Sequence, residues 1–106
     1  MSENENLVYN LADSIQVQRG SVVSKTLVNQ PAGTITLFAF DQDQTLSEHT
    51  APYDALVQIL EGQAEIRLAG KPVTMKAGDA MMLPANIPHA LRALTDYKML
   101  LTMIKA

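Results

Sequence analysis

Apolar and polar residues alternate with a period of two along most of the chain, and turn residues interrupt the alternation at short intervals. In the segment 34–40 (TITLFAF), Ile35, Leu37 and Ala39 fall on one face of an extended strand. Short strands separated by frequent turns are typical of an all-β sandwich or barrel. The pattern predicts strands at residues 22–28, 34–40, 46–50, 55–61, 65–68, 73–75, 80–83, 89–94 and 97–104, and one helical turn near 10–14.

Composition narrows the functional classes. The chain has 106 residues, 47% hydrophobic and 18% charged, which fits one globular domain. The net charge of -3 and the scattered basic residues argue against a nucleic-acid partner. No apolar segment reaches the roughly 20 residues of a membrane-spanning helix. The polar start MSENENLVYN lacks the features of a secretory signal, and there is no cysteine. We therefore expect a cytoplasmic protein without a membrane partner.

Two segments each combine a histidine with proline, and the first of them also ends in a glycine. The segment 49–62 (HTAPYDALVQILEG) begins with His49, and the segment 84–89 (PANIPH) ends with His89. These are the only two histidines of the sequence, and both fall in predicted strands. The two segments resemble the two signature motifs of the cupin superfamily, and the resemblance covers about residues 34–103.

The first motif of that superfamily is a glycine, a His-x-His pair, a glutamate and a closing glycine. His49 and Gly62 stand at the positions of the first histidine and the closing glycine. Ala51 replaces the second histidine, Ala55 replaces the glutamate and Asp43 replaces the opening glycine. The first motif is therefore only partly retained.

The second motif is a glycine, a proline, an internal glycine, a histidine and an asparagine. Gly78, Pro84 and His89 match it, whereas Asn86 and Ala93 replace the internal glycine and the final asparagine. Asparagine is a sensible substitute for glycine, because it tolerates a positive φ better than most residues.

The resemblance implies a fold and a place for the site. It predicts an all-β double-stranded β-helix, or jelly-roll barrel, whose mouth holds the site. The chain is interpreted as one cupin domain over residues 1–106, with an N-terminal arm at 1–20, the first motif at about 43–62 and the second at about 78–93.

Family metals sit on the histidines and the glutamate of these motifs, of which this chain keeps His49 and His89. Two neutral imidazoles suit a divalent metal such as Zn, Mn, Fe, Ni or Cu, although durable sites have three or four protein ligands. Asp54, beside the vacated glutamate position, is the candidate third ligand. The alternative is a metal-free pair of pocket histidines that bond to water, to the backbone or to each other.

Three further residues are candidates for the pocket. Tyr53 lies next to Pro52 at the expected rim, where it either covers a ligand or caps the barrel end. Met82 is expected to line the core or the pocket. Arg92, three residues after His89, either binds a carboxylate or is a solvated strand charge. No residue is identified as catalytic.

Three functions fit these observations. The leading hypothesis is a small cupin barrel that binds a small molecule, with or without a divalent metal, in its mouth. The second is a metal-dependent dioxygenase, isomerase or lyase of a small polar substrate. The third is a non-enzymatic sensor or stabilising module that acts through its dimer, because fold alone does not fix function.

A homodimer is also expected. The predicted strand 97–104 (YKMLLTMI) carries apolar residues on both faces, and a small barrel has only one interior to cover them. A second copy of the chain would cover the outer face. The alternative cover is the N-terminal segment 7–17, folded across that face within one chain.

Overall fold

Two antiparallel β-sheets make up the structure, a computed structural model that describes residues 7–105. The larger sheet has the strand order β1-β2-β9-β4-β7 and the smaller one β3-β8-β5-β6. This arrangement is the double-stranded β-helix that the sequence predicted. The strands are β1 (Val22–Gln30), β2 (Gly33–Phe40), β3 (Thr45–His49), β4 (Asp54–Glu61), β5 (Gln63–Leu68), β6 (Lys71–Lys76), β7 (Ala80–Leu83), β8 (His89–Ala93) and β9 (Tyr97–Ile104).

The predicted strand boundaries agree with these bounds to within a few residues. The largest difference is in β6, which spans Lys71–Lys76 where residues 73–75 were predicted. Strand β1 continues to Gln30 because a register shift between Thr26 and Val28 lets it stay paired with β2. The expected helical turn is a short 3₁₀ helix at Ala12–Ser14. Residues 7–105 contain no helix long and apolar enough to cross a lipid bilayer.

The interior between the sheets is apolar, as the alternation requires. Phe40 and Tyr97 are fully buried and stack with their ring centroids 4.4 Å apart. They face the smaller sheet, which contributes Ala64, Ile66 and Leu91 to the same cluster. Burying one such large side chain stabilises the fold by about 1.5–3 kcal/mol, so this interior holds the two sheets together.

The described part of the N-terminal arm covers the other face of the larger sheet. Ile15 is buried against Leu37 and Ala39 of β2, in a cluster that includes Leu100 of β9. The side chain of Lys98 donates from Nζ to the carbonyl of Ala12 at 2.6 Å. The arm therefore covers this part of the outer face within one chain, which was the alternative to a dimer in the sequence analysis.

Both non-glycine residues at motif glycine positions adopt the backbone conformation that glycine favours. Asp43 has φ of 71° and Asn86 has φ of 65°. Asp and Asn are the residues that reach this region at the lowest cost after glycine. The turns of both motifs are therefore kept although their glycines are lost.

Gly62 satisfies two constraints at once. Its φ is 76°, and a Cβ added here would collide with the carbonyl oxygen of Asp96 and lie 2.9 Å from the Cα of Tyr97. Gly70 shares the positive φ, 79°, but a Cβ there would meet nothing within 4 Å. The two positions thus separate the conformational cost of a side chain from its steric cost.

We expect Gly62→Ala to lower the free energy of unfolding by clearly more than Gly70→Ala. Gly70→Ala should cost roughly 1–2 kcal/mol, the usual penalty for a left-handed backbone. Gly62→Ala adds a collision with backbone that cannot move aside. Urea unfolding of both variants measures the difference, and equal losses would contradict the steric argument.

Candidate functional site

The two histidines meet because β3 carries an extra residue. Leu46 pairs with Leu91 and His49 pairs with His89, so three steps along β3 match two steps along β8. Strict alternation from Leu46 would place His49 on the opposite face of the strand. The irregularity reverses the parity, and His49 lies on the same inner face as Leu46.

The ring nitrogens of the pair have defined roles. Nδ1 of His49 lies 2.7 Å from the carbonyl of Ser47, and Nδ1 of His89 lies 3.1 Å from the carbonyl of Ile87. A carbonyl only accepts, so each Nδ1 carries the proton and donates it. In the neutral imidazoles, both Nε2 atoms therefore bear a lone pair.

The two Nε2 atoms are 3.1 Å apart, and the rings meet edge to face with their centroids 4.4 Å apart. Two lone pairs at this distance repel each other unless a cation, a proton or a metal ion, binds both. Nitrogens held at 2.0–2.1 Å from a tetrahedral Zn²⁺ lie about 3.3 Å from each other. The expectation that both histidines share one cavity within metal-bridging reach is confirmed, and the donor pair fits a divalent metal.

Burial favours the unprotonated state of one member of the pair. His89 is 7% exposed, and this desolvation lowers its pKa, an effect that the nearby His49 increases and the carbonyl of Ile87 opposes. Near neutral pH the Nε2 of His89 is therefore unprotonated, and its lone pair is available to bind a metal ion. His49 lies closer to solvent, on the exposed side of the pair.

A cavity of about 110 Å³ adjoins the histidines between the two sheets. Its walls are almost entirely apolar, and the positions of the two missing motif ligands, Ala51 and Ala55, are part of them. The other side chains that line it are Phe38, Leu46, Tyr53, Val57, Leu83, Leu91, Met99, Leu101 and Met103. The cavity accepts a small ligand, below the roughly 300–1,000 Å³ that drug-sized ligands occupy.

Tyr53 is the one pocket candidate besides the histidines that lines this cavity. Its ring also lies under the ammonium of Lys105, with Nζ 5.7 Å from the ring centroid. Tyr53 therefore lies where the charged side chain of Lys105, the residue after β9, meets the apolar wall of the cavity.

Asp54, the candidate third ligand, is engaged elsewhere. Ala55 points into the cavity, so its neighbour Asp54 lies on the opposite face of β4. Its Oδ1 accepts a hydrogen bond from the backbone N–H of Ala85 at 2.8 Å. Within residues 7–105, no group of three His, Cys, Asp or Glu side chains is placed to hold a metal.

The expected pocket roles of Met82 and Arg92 need correction. Met82 is 51% exposed, because Leu83 takes the inward position of β7. Arg92 alternates with the inward Leu91 and Ala93, so it lies on the outer face of β8 and pairs with Asp43 at 3.7 Å. Sequence reasoning missed Phe38 and Leu101 as lining residues, although the alternation in β2 and β9 places both on the inner face.

Comparison with known proteins agrees with this architecture. A conserved protein of unknown function from Streptococcus pyogenes is 35% identical and superposes with a TM-score of 0.89, over 93% of this chain and 87% of that one. A cupin 2 conserved barrel domain protein from Leptotrichia buccalis is 42% identical with a TM-score of 0.89, over 92% of this chain and 47% of that one.

A curated relative, the "Polyketide synthase CurC" of Streptomyces cyaneus, is 26% identical over 77 residues. The match covers 72% of this chain and 50% of the relative, so the chain spans about half of that protein's length. The family model described as "Cupin domain" matches residues 36–105, well over half of the chain. The chain therefore belongs to the cupin family.

Proposed function

We propose that this cupin barrel binds a small molecule in the cavity beside His49 and His89, through a divalent metal ion held by the two Nε2 atoms. One observation carries the proposal: both Nδ1 atoms donate to carbonyls while the Nε2 lone pairs face each other at 3.1 Å. Metal-bound histidines typically donate their other ring N–H to an oxygen in this manner. Imidazole ligands suit Zn, Fe, Ni and Cu, and Mn is also compatible.

The rest of the site supports binding of a molecule with an apolar body. Such a body would contact the walls of the cavity, where Phe38, Leu101 and Met103 lie beside the histidines. Removing its apolar surface from water would contribute about 25 cal/mol per Å². The histidine pair and the hydroxyl group of Tyr53 would orient its polar end.

The second candidate is a metal-dependent enzyme, a dioxygenase, isomerase or lyase. The similarity to a protein named as a polyketide synthase favours an enzymatic activity. When bound, the metal would act as a Lewis acid that polarises an oxygen of the substrate. His49 and His89 would hold it, and the apolar walls would exclude water. A site with two protein ligands holds metal less firmly than redox chemistry on iron requires, which favours the binding function.

Metal titration tests the proposal. His49→Ala and His89→Ala should each abolish stoichiometric binding of Zn²⁺, because one imidazole alone is a weak ligand. Isothermal titration calorimetry of chelator-treated protein measures the loss. Asp54→Asn is the matched control and should keep the wild-type affinity, since the Asp54 carboxylate bonds to the backbone of Ala85. Unchanged binding in both histidine variants would place the ion elsewhere.

Metal binding should also weaken in acid. Protons compete with the metal ion for the Nε2 lone pairs, so the affinity for the metal falls as the pH drops. Because burial lowers the pKa of His89, this residue should keep its lone pair below pH 6.5, the ordinary value for histidine. Zn²⁺ affinity measured between pH 7.5 and pH 5 should decline steadily. A pH-independent affinity would argue against histidine ligands.

We also propose that two copies of the chain associate through the part of the larger sheet that the arm leaves open. Ile35, Thr102, Leu56 and Met82 are successive cross-strand neighbours from β2 to β7 on that outer face. Met82 is 51% exposed and nearby Ile104 is 55% exposed. The row ends at β7, an edge strand whose backbone groups can pair with another chain.

Sedimentation at micromolar concentration should give a species of twice the 11.6 kDa chain mass. Met82→Glu should shift it to the monomer, because a buried, unpaired carboxylate is costly in an apolar interface. Val73→Glu is the matched control, since Val73 is an exposed apolar residue on the other sheet and should leave the dimer intact. A monomeric wild-type chain would refute the dimer, and the N-terminal arm alone would then account for the cover of the outer face of the larger sheet.

A further inference from the structure

The charge balance of the proposed metal site is incomplete within the described chain. His49 and His89 are both neutral donors, so they leave the full double charge of a divalent ion uncompensated. Among residues 7–105, no carboxylate or thiolate joins the two histidines in a group that could hold a metal. An anion bound beside the histidines would supply the missing negative charge.

The carboxylates nearest in sequence have other partners or face away. Asp54 accepts the N–H of Ala85 on the outer face of β4. Asp43 pairs with Arg92 on the outer side of the smaller sheet. Glu48 is exposed and lies outside the cavity lining. None of the three side chains lines the cavity beside the histidines.

The apolar walls of the cavity raise the free-energy cost of this uncompensated positive charge. Ala51 and Ala55 present methyl groups in the space next to the two imidazoles, and most of the remaining wall is hydrocarbon. A charge surrounded by apolar groups is strongly disfavoured unless an opposite charge pairs with it. Two nitrogen ligands also leave at least two coordination positions of a tetrahedral ion without a protein donor.

We infer that the site takes an anionic chelator that has two oxygen donors at one end and a small apolar body, as in branched 2-hydroxy acids. This inference rests on the proposed metal site. The ligand supplies both the negative charge and the donor atoms that Ala51 and Ala55 lack. Its apolar body contacts the hydrocarbon walls of the cavity of about 110 Å³. Metal and chelator therefore bind cooperatively.

Cooperativity is measured with Co²⁺ and 2-hydroxy-3-methylbutyrate. Equilibrium dialysis gives the Co²⁺ affinity with and without the acid, corrected for the Co²⁺ that the acid holds in the protein-free chamber. The acid should tighten Co²⁺ binding roughly 5- to 150-fold, the usual range of coupling between two ligands. The visible spectrum of the bound Co²⁺ should change when the acid joins the complex.

Three related probes separate the features of the ligand. The neutral amide of the same acid keeps the body and the hydroxyl group but lacks the charge. 3-Methylbutyrate keeps the charge and a similar body but has one donor group, and glycolate keeps the chelating end but lacks the body. Each should enhance Co²⁺ binding less than the full acid. Equal enhancement by the amide would overturn the inference that the ligand must be anionic.

A pair of variants tests the same point from the side of the protein. Ala55→Glu places a carboxylate in the cavity wall, so it should bind Co²⁺ more tightly without any acid and respond less to it. Ala55→Gln is the matched control, with nearly the same volume and no charge, and should lack the gain in Co²⁺ affinity. If the larger side chains disturb folding, which a melting curve reveals, the probe series on the wild-type chain still decides.

The outcomes distinguish this inference from the proposed metal site. Tight Co²⁺ binding that requires both histidines but ignores the acid would overturn the inference and leave the metal site intact. If Co²⁺ fails to bind with or without the acid, the metal site and the inference both fall. Binding that strengthens with the acid and is lost in His89→Ala supports both.

Discussion

The central strand β9 is apolar on both faces, and the rest of the structure depends on covering both of them. Met99 and Leu101 point inward, where the smaller sheet and the cavity lie, whereas Leu100 points outward beneath the arm. A strand of this kind is stable only as an interior strand with material on each side. The pairing of β9 with β2 and β4 and the path of the arm both meet this requirement.

The N-terminal arm covers the outer face of β9 with few apolar side chains, because polar contacts fix the position of the arm. Lys98 lies on the covered face, where its ammonium donates to the carbonyl of Ala12 and pairs with Glu61 at 3.5 Å. Lys25 likewise donates to the carbonyl of Ser14. A short 3₁₀ helix leaves its last carbonyls without internal partners, and the two lysines satisfy them. The segment that covers the sheet is thereby tied to it.

Much of the fold was predictable from the sequence because a period of two has few interpretations. The alternation in β2 and β9 separated the residues of their two faces correctly, and Asn86 at a motif glycine position indicated a turn with positive φ. Register shifts were not predictable in this way. The extra residue in β3, which turns His49 inward, leaves no signature in the polarity of Ser47 and Glu48, because both are exposed.

The candidate site was predictable to the extent that it consists of the motif histidines. Met82 and Arg92 were misplaced because position near a motif says nothing about strand parity, and the inward neighbours Leu83 and Leu91 take the places next to the cavity. Asp54 could act as the third ligand only if a bulge in β4 turned its side chain inward. The bulge instead lies in β3, and β4 keeps its alternation at Asp54 and Ala55.

Replacement of two motif ligands by alanine changes the kind of site that the barrel offers. A histidine and a carboxylate at these positions would supply charge and donors from the chain itself, so a metal would stay bound in an otherwise empty cavity. Two methyl groups supply neither, and they enlarge the apolar surface beside His49 and His89. The proposed metal is then held firmly only while a ligand occupies the cavity. Such a dependence couples the two binding events, because each lowers the cost of the other.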